Sequence, residues 1–154
     1  MPPVRDVLLD TGPLVAVLDS ADQWHATCVD AWYEVVQRCI TTEACVTEAS
    51  HLVGRAGAAS LPLEMVLAAG VPVVSLERPG HEQAVRLMRR YATLPMDYAD
   101  ATLVVVADAL RLHTVFTMDR KGFRTYRRGD GSAFRMLPDR QFAYDRDDLL
   151  SRPR

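Results

Sequence analysis

The sequence predicts an α/β protein with an open, mainly parallel sheet covered by helices on both faces. Three observations predict it. Short, apolar, β-branched runs alternate along the chain with longer stretches of helical periodicity, and parallel neighbours need such crossover connections. The 154 residues, 49% of them hydrophobic, can bury one sizeable core and argue against a second domain. Charged residues make up 25% of the chain and the formal net charge is −2, the balance of an ordinary folded protein. The expected organisation is one domain over residues 1–154, with its core at about 4–138 and a polar tail at 139–154.

Val4 to Leu9 reads as a buried strand closed by the turn-forming Asp-Thr-Gly-Pro, with Pro13 suited to the first turn of a short helix over Leu14 to Asp19. Trp24 to Gln37 places Trp24, Cys28, Ala31, Trp32, Val35 and Val36 at helical spacing, and Cys39 to Thr41 offers a second strand. Thr42 is suited to N-cap a helix over Glu43 to Arg55, in which Cys45, Ala49, Leu52, Val53 and Ala56 share one face until Gly54 and Gly57 weaken it. Leu61 to Ala69 is a short helix ended by Gly70, and Val71 to Leu76 is a β-branched strand. His81 to Tyr91 is an amphipathic helix with Ala84, Val85, Leu87 and Met88 inward. Tyr98 to Leu112 is apolar on nearly every side and should be a central buried helix, followed by a strand at Thr114 to Thr117. Arg120 to Arg128 is basic, Gly129 to Gly131 forms a turn, and Phe134 to Leu137 is a last edge strand.

The small net charge names no partner. Cys28, Cys39 and Cys45 are an odd number without a C-x-x-C pair, which points to reduced thiols and a cytoplasmic home. An Asp interrupts the N-terminus before any long apolar run develops, so neither a signal peptide nor a membrane span is expected.

Four carboxylates are oddly placed for solubilising charges. Asp10 and Asp119 follow strands, Glu48 lies on an apolar helix face, and Asp100 opens the buried helix. In open α/β folds ligands bind outside the carboxyl ends of the strands, so Asp10 and Asp119 should share a rim. Acidic residues seldom bury unless paired or metal-bound, and clustered carboxylates are driven to protonate unless a cation intervenes. No His or Cys has zinc-ligand spacing, whereas an all-oxygen set suits Mg²⁺ or Mn²⁺. The chemistry that follows is hydrolysis of a phosphodiester, with the ion activating a water and offsetting charge on the phosphoryl oxygens. Asp10 and Asp100 are the expected direct ligands, and Glu48 and Asp119 hold the ion's waters or a second ion. Asp97 should cap the helix that Asp100 begins, although the spacing could also set both on one side to aid the cluster, and Thr11 and Thr117 could orient the neighbouring acids or a phosphate. Arg120, Lys121, Arg124, Arg127, Arg128, Arg135 and Arg140 could hold a nucleic-acid backbone, with Tyr126 stacking a base or packing beneath the segment.

Val-Leu-Leu-Asp-Thr-Gly-Pro-Leu-Val-Ala at 7–16, Glu48, Tyr-Ala-Asp-Ala at 98–101 and Thr-Met-Asp-Arg-Lys-Gly-Phe at 117–123 together resemble the PIN-domain family, in order and spacing over most of the chain. The short, stand-alone form is similar to VapC-type toxins. The resemblance implies a PIN-like three-layer sandwich and a metal-dependent endoribonuclease. It also implies a homodimer and a small antitoxin that covers the cleft and brings a basic residue to the acids. The choice of RNA over DNA comes from the resemblance alone.

Other readings explain less. Asp-Thr-Gly also marks aspartic proteases, which are nearly all-β, whereas 24–37, 43–57 and 98–112 are helical in period. A receiver-like signalling domain also gathers acids and Mg²⁺ at strand ends, but here Asp6 precedes the first strand and Glu48 sits on a helix. A PIN-like fold serving as a non-catalytic RNA-binding adaptor would not need the full acidic set. His25 with Cys28 could be imagined as a nucleophilic pair, although core packing explains Cys28 better. His51 and His113 have no ligand spacing, and Arg86, Arg89 and Arg90 read as a solvent face.

Overall fold

A computed structural model describes residues 2–54 and 57–139. Its sheet is built from β1 (Val7–Leu9), β2 (Cys39–Thr42), β3 (Val73–Val74), β4 (Thr114–Phe116) and β5 (Arg135–Leu137). They lie in the order β3-β2-β1-β4-β5, with every neighbouring pair parallel. Leu8 stands opposite Ile40 on one side and Val115 on the other, so β1 is the buried centre. The helices are α1 (Thr11–Leu18), α2 (His25–Val35), α3 (Glu43–Val53), α4 (Leu61–Ala68), α5 (Arg78–Arg90), α6 (Tyr98–Leu110) and α7 (Arg120–Thr125).

Side chains alternate across the sheet with period two and divide the core into two layers. Val7 and Leu9 point to one face, where they pack with Leu14, Cys28, Trp32, Ala49 and Val66 from α1 to α4. Leu8 and Val115 point to the other, against Leu103, Val104, Leu87 and Phe123 from α5, α6 and α7. Helix α6 has buried residues at every position from Ala101 to Ala107, as its all-round apolar sequence requires. The three-layer α/β sandwich expected from the sequence is therefore the observed fold.

Local differences have physical reasons. The first strand begins at Val7, not Val4, because Val4 is 75% exposed and Asp6 is engaged by Arg38 at 2.8 Å. Thr42 does cap α3, its hydroxyl accepting from the Cys45 N–H, and Gly54 stops that helix with φ 53°. Leu52, expected inward, is 55% exposed, since the buried face runs through Cys45, Ala49 and Val53. Helix α5 starts earlier than the periodicity indicated, at Arg78 with Pro79 in its first turn, and its buried line through Ala84 and Leu87 leaves Val85 outside. The largest difference is α7. In the basic stretch Arg120–Arg128, for which the sequence predicts no regular element, the Asp119 side chain caps a helix. Arg55, Ala56, Arg140 and the tail from 140 onward lie outside the described residues.

Candidate active site

Helix α1 follows β1 without a loop, and Asp10 is the residue between them. Its carboxylate caps α1, Oδ1 accepting from the Thr11 N–H at 2.8 Å, while Oδ2 accepts from the Thr117 hydroxyl at 2.6 Å. Only 5% of Asp10 is exposed. Thr117 follows β4, the neighbouring strand, and its oxygen also accepts from the Asp119 N–H at 2.9 Å. One buried hydroxyl therefore ties Asp10 to the turn that presents Asp119. Asp119 itself caps α7, accepting from the Gly122 N–H at 3.0 Å, and its side chain stays exposed.

Glu48 reaches the same rim from α3. Its Oε2 accepts from the Thr11 hydroxyl at 3.0 Å, a donor shared with the Cys45 carbonyl at 3.3 Å. Asp100 arrives from α6 through a capping box: Asp97 Oδ1 accepts from the Asp100 N–H at 2.8 Å, and Asp100 Oδ2 accepts from the Asp97 N–H at 3.2 Å. The Tyr126 hydroxyl donates to that same Oδ2 at 3.2 Å.

Packing these acids together raises the cost of ionising them. Burial, followed by the charges of Asp119 and Glu48, pushes Asp10 up from 3.8 to about 7, against the lowering effect of its bonds from Thr117 and Thr11. Asp100 rises to about 9, through burial first and then the charges of Asp10 and Asp97. Glu48 is raised by burial and by the Asp97 carboxylate beside it. Asp97 thus caps α6, as expected, and also adds its charge to the cluster.

The structure brings Asp10, Thr11, Glu48, Asp97, Asp100, Thr117 and Asp119 to one rim at the carboxyl ends of β1 and β4. The basic segment is divided. Arg120 is half-buried and its guanidinium donates to the Pro138 carbonyl. Arg127 folds back onto the Arg124, Thr125 and Tyr126 carbonyls at the end of α7, and Arg128 meets Asp130 at 3.6 Å. Lys121 and Arg124 remain exposed on α7, and Arg135 lies on β5 within 3.5 Å of Asp139. Tyr126 packs inside, 1% exposed and edge-on to Tyr91 and Phe123, so it stacks no base. Arg86, Arg89 and Arg90 face solvent, and Cys28 is buried with its thiol pushed up to about 12 by desolvation, which disposes of a His25–Cys28 nucleophile. Asp6, bound to Arg38, takes no part in the cluster, unlike the N-terminal acids of a receiver.

Two contributors were missed in the sequence. Tyr126 holds Asp100, and Gly122 leaves room for both Asp119 and Tyr126: a Cβ there would lie 2.3 Å from Asp119 Oδ2 and 2.9 Å from the Tyr126 hydroxyl. The available signal was the spacing of Asp119 and Gly122, three apart as in a helix cap.

The sequence matches the model of the PIN domain over residues 7–129, a span that runs from β1 past Asp119 and so contains all four acids. The chain belongs to the PIN-domain family. Among similar proteins is Ribonuclease VapC26 of Mycobacterium tuberculosis, 31% identical over 138 residues that make up 86% of this chain and 100% of that protein. The crystal structure of Mycobacterium tuberculosis VapC20, a sarcin-ricin loop cleaving toxin, superposes with a TM-score of 0.67 at 21% identity, over 73% of this chain and 89% of that one. PAE2754 from Pyrobaculum aerophilum follows with a TM-score of 0.54 at 21% identity, over 80% and 86%. The two structures share the fold.

A divalent cation fits this PIN domain's donor set. Every donor at the rim is oxygen, and the Asp10 and Asp100 carboxyls are raised, by burial first and by neighbouring carboxylates second, a cost of ionisation that a cation offsets. Among the described residues, no three Asp, Glu, His or Cys side chains close on a single ion as they stand. An ion that keeps several waters and takes only one or two carboxylates needs no such cage. Among the described residues, no helix is long and apolar enough to cross a membrane.

Proposed function

We propose that this PIN domain is an Mg²⁺- or Mn²⁺-dependent endoribonuclease, the toxin of a type II toxin–antitoxin pair acting in the cytoplasm. The observation that carries the reading is the gathering of the buried Asp10, at the end of β1, with Asp100 in the first turn of α6, both carboxyls raised by burial first and by neighbouring acids second. The 31% identity to a ribonuclease over its full length supports the reaction class.

Asp10 and Asp100 would hold the ion, with Glu48 and Asp119 placed for its water shell or for a second ion. When bound, the ion lowers the pKa of the attacking water and offsets charge on the phosphoryl oxygens. The chain's own residues do the rest. Thr117 and Thr11 lock the Asp10 carboxylate through both oxygens, so that it meets the substrate in one orientation. Tyr126 and the Asp97 N–H fix Asp100 through Oδ2. Glu48 or Asp119 takes the proton released in the attack. Lys121 and Arg124 hold the RNA backbone beside the cut, and Arg120 supports that helix from within.

Helices α3 and α4 support the reading that partners exist, a second copy in a homodimer and a small antitoxin. They leave Leu52, Leu61, Leu63 and Leu67 between 40% and 63% exposed, apolar side chains that a partner could cover.

The test is cleavage of a structured RNA by the purified full chain with Mg²⁺, Mn²⁺ or EDTA, beside Asp100→Asn. Metal-dependent cutting that the substitution abolishes supports the proposal. Correctly folded, partner-free protein that cuts none of several RNAs overturns it.

A further inference from the structure

Next to the acidic rim lies a cleft of about 580 Å³, large enough for a flat heterocycle with its sugar. Glu48 and Asp97 form the wall it shares with the rim, so whatever fills it adjoins the acidic cluster. Val74, Leu76 and Ala99 supply an apolar lining. Another part of its wall is a pair of flat rings, His81 of α5 and Tyr98 of α6, stacked at 14° with centroids 6.0 Å apart. The Tyr98 hydroxyl lies 3.0 Å from His81 Nδ1, which holds the rings together, and Tyr98 remains 40% exposed.

The polar lining combines threonine and serine hydroxyls, the imidazoles of His51 and His81, and three carboxylates. Glu43, Glu48 and Asp97 contribute carboxylates, and among the described residues no lysine or arginine lines the cleft. With no lysine or arginine to offset them, these carboxylates disfavour a phosphate or an acidic side chain. A neutral, planar group that stacks on a ring and offers N–H donors at its edge is matched on both counts.

We infer that the cleft between α3, the end of β3 and the start of α6 is a subsite for the nucleobase next to the scissile phosphate. The base stacks on the Tyr98–His81 pair and turns an amine-bearing edge toward Glu43. Guanine, adenine and cytosine carry an exocyclic amine, whereas uracil presents one N–H between two carbonyls that carboxylates oppose, so uracil is disfavoured there. The inference rests on the ribonuclease reading. It supplies the stacking aromatic that Tyr126, being buried, cannot be.

The test uses the folded full chain and short RNAs carrying 2-aminopurine, which loses fluorescence when stacked, first in EDTA so that nothing is cut. Wild type should quench the probe. Tyr98→Ala should weaken binding about 5- to 100-fold, the span of one lost base stack, while Tyr98→Phe keeps most of it. With metal restored, Tyr98→Ala should raise KM and leave kcat at saturation nearly unchanged, and Glu43→Gln should narrow discrimination against uracil at the position beside the cut. Metal-dependent cleavage with no quenching, and with Tyr98→Ala indistinguishable from wild type, overturns the subsite while the nuclease stands; the cleft would then belong to a protein partner. Quenching lost in Tyr98→Ala without any cleavage keeps the base site and overturns the nuclease. Neither quenching nor cleavage overturns both.

Discussion

Replacing Asp10 by Asn tests the central physical claim, that burial, reinforced by neighbouring carboxylates, makes Asp10 costly to ionise and that a cation offsets this cost. The carboxyl stands at about 7 in the folded protein against 3.8 unfolded. That is about three pKa units, or roughly 4 kcal/mol at 1.36 kcal/mol each. A folded value above the unfolded one means that the group's contribution is fully present below about pH 4. It is lost as pH rises through about 7, where the native state must surrender the proton. Metal-free protein should therefore weaken between about pH 4 and 7, and further toward about 9 as Asp100 follows. An Asn at position 10 escapes that penalty. Its oxygen can still accept from the Thr11 N–H, and its amide can donate to Thr117, whose oxygen already accepts from Asp119. After the amide's own burial cost, Asp10→Asn should be more stable than wild type by roughly 1–3 kcal/mol at about pH 8 in EDTA, with the gain vanishing near pH 4. Urea unfolding at three pH values, with EDTA and with Mn²⁺, measures this directly. Mn²⁺ should stabilise wild type and not the variant, and the variant should not cleave RNA. If Asp10→Asn were less stable than wild type at pH 8 in EDTA, Asp10 would be a satisfied structural carboxylate and the argument from costly ionisation would fail.

Other substitutions probe the supporting residues. Gly122→Ala should cost roughly 1–3 kcal/mol from overpacking against Asp119 and Tyr126, and about 10- to 100-fold in cleavage; thermal melting with single-turnover cleavage reads both, and wild-type activity would show that Asp119 is dispensable. Tyr126→Phe keeps the buried ring and removes only the bond to Asp100, so its melting point should barely move while the Mn²⁺ concentration needed for half-maximal cleavage rises about tenfold or more. Thr117→Val removes a donor from Asp10 and an acceptor from Asp119, and should lower cleavage about 10- to 100-fold, with Thr117→Ser restoring most of it. Changing both Lys121 and Arg124 to Ala should flatten the dependence of log affinity on log salt by about 1.4 for single-stranded RNA, and an unchanged slope would remove α7 from the binding surface.

What could be read from the sequence followed from periodicity and burial. The alternation of β1, β2, β3 and β4 with helices, and the all-round apolar character of α6, foretold the sandwich. The four acids stood out because each occupied a position where charge is costly. Asp97 was legible from its spacing to Asp100 both as a cap and as a possible aid to the cluster, but its place beside Glu48 was not, since that depends on how α3 packs near the start of α6. Helix α7 was hidden because cap and packing outweigh its poor propensity: Asp119 satisfies its first turn and Phe123 anchors it in the core at 0% exposure. Tyr126 was invisible as a partner of Asp100, twenty-six residues away, since only the folded chain brings them together. The cleft beside the site was equally unreadable, because its ring pair comes from two helices whose aromatic residues have no common period.

The strand order explains why the site lies where it does. The chain winds outward from β1 to β2 and β3, then crosses back to place β4 on the free side of β1 and continues to β5. Between β1 and β4 successive connections therefore leave in opposite directions, and a crevice opens at the carboxyl ends of those two strands. The backbone closes its floor with the Asp10 N–H donating to the Phe116 carbonyl at 3.0 Å, and the Thr117 hydroxyl closes it again one layer higher. Both strands are only three residues long, so Asp10 and Thr117 sit one step beyond a fully buried ladder and inherit its rigidity. A carboxylate on a mobile loop would swing away from its neighbours rather than bear a raised pKa. Here it cannot, and that constraint is what makes the cluster a place where a cation, and then a phosphate, is favoured.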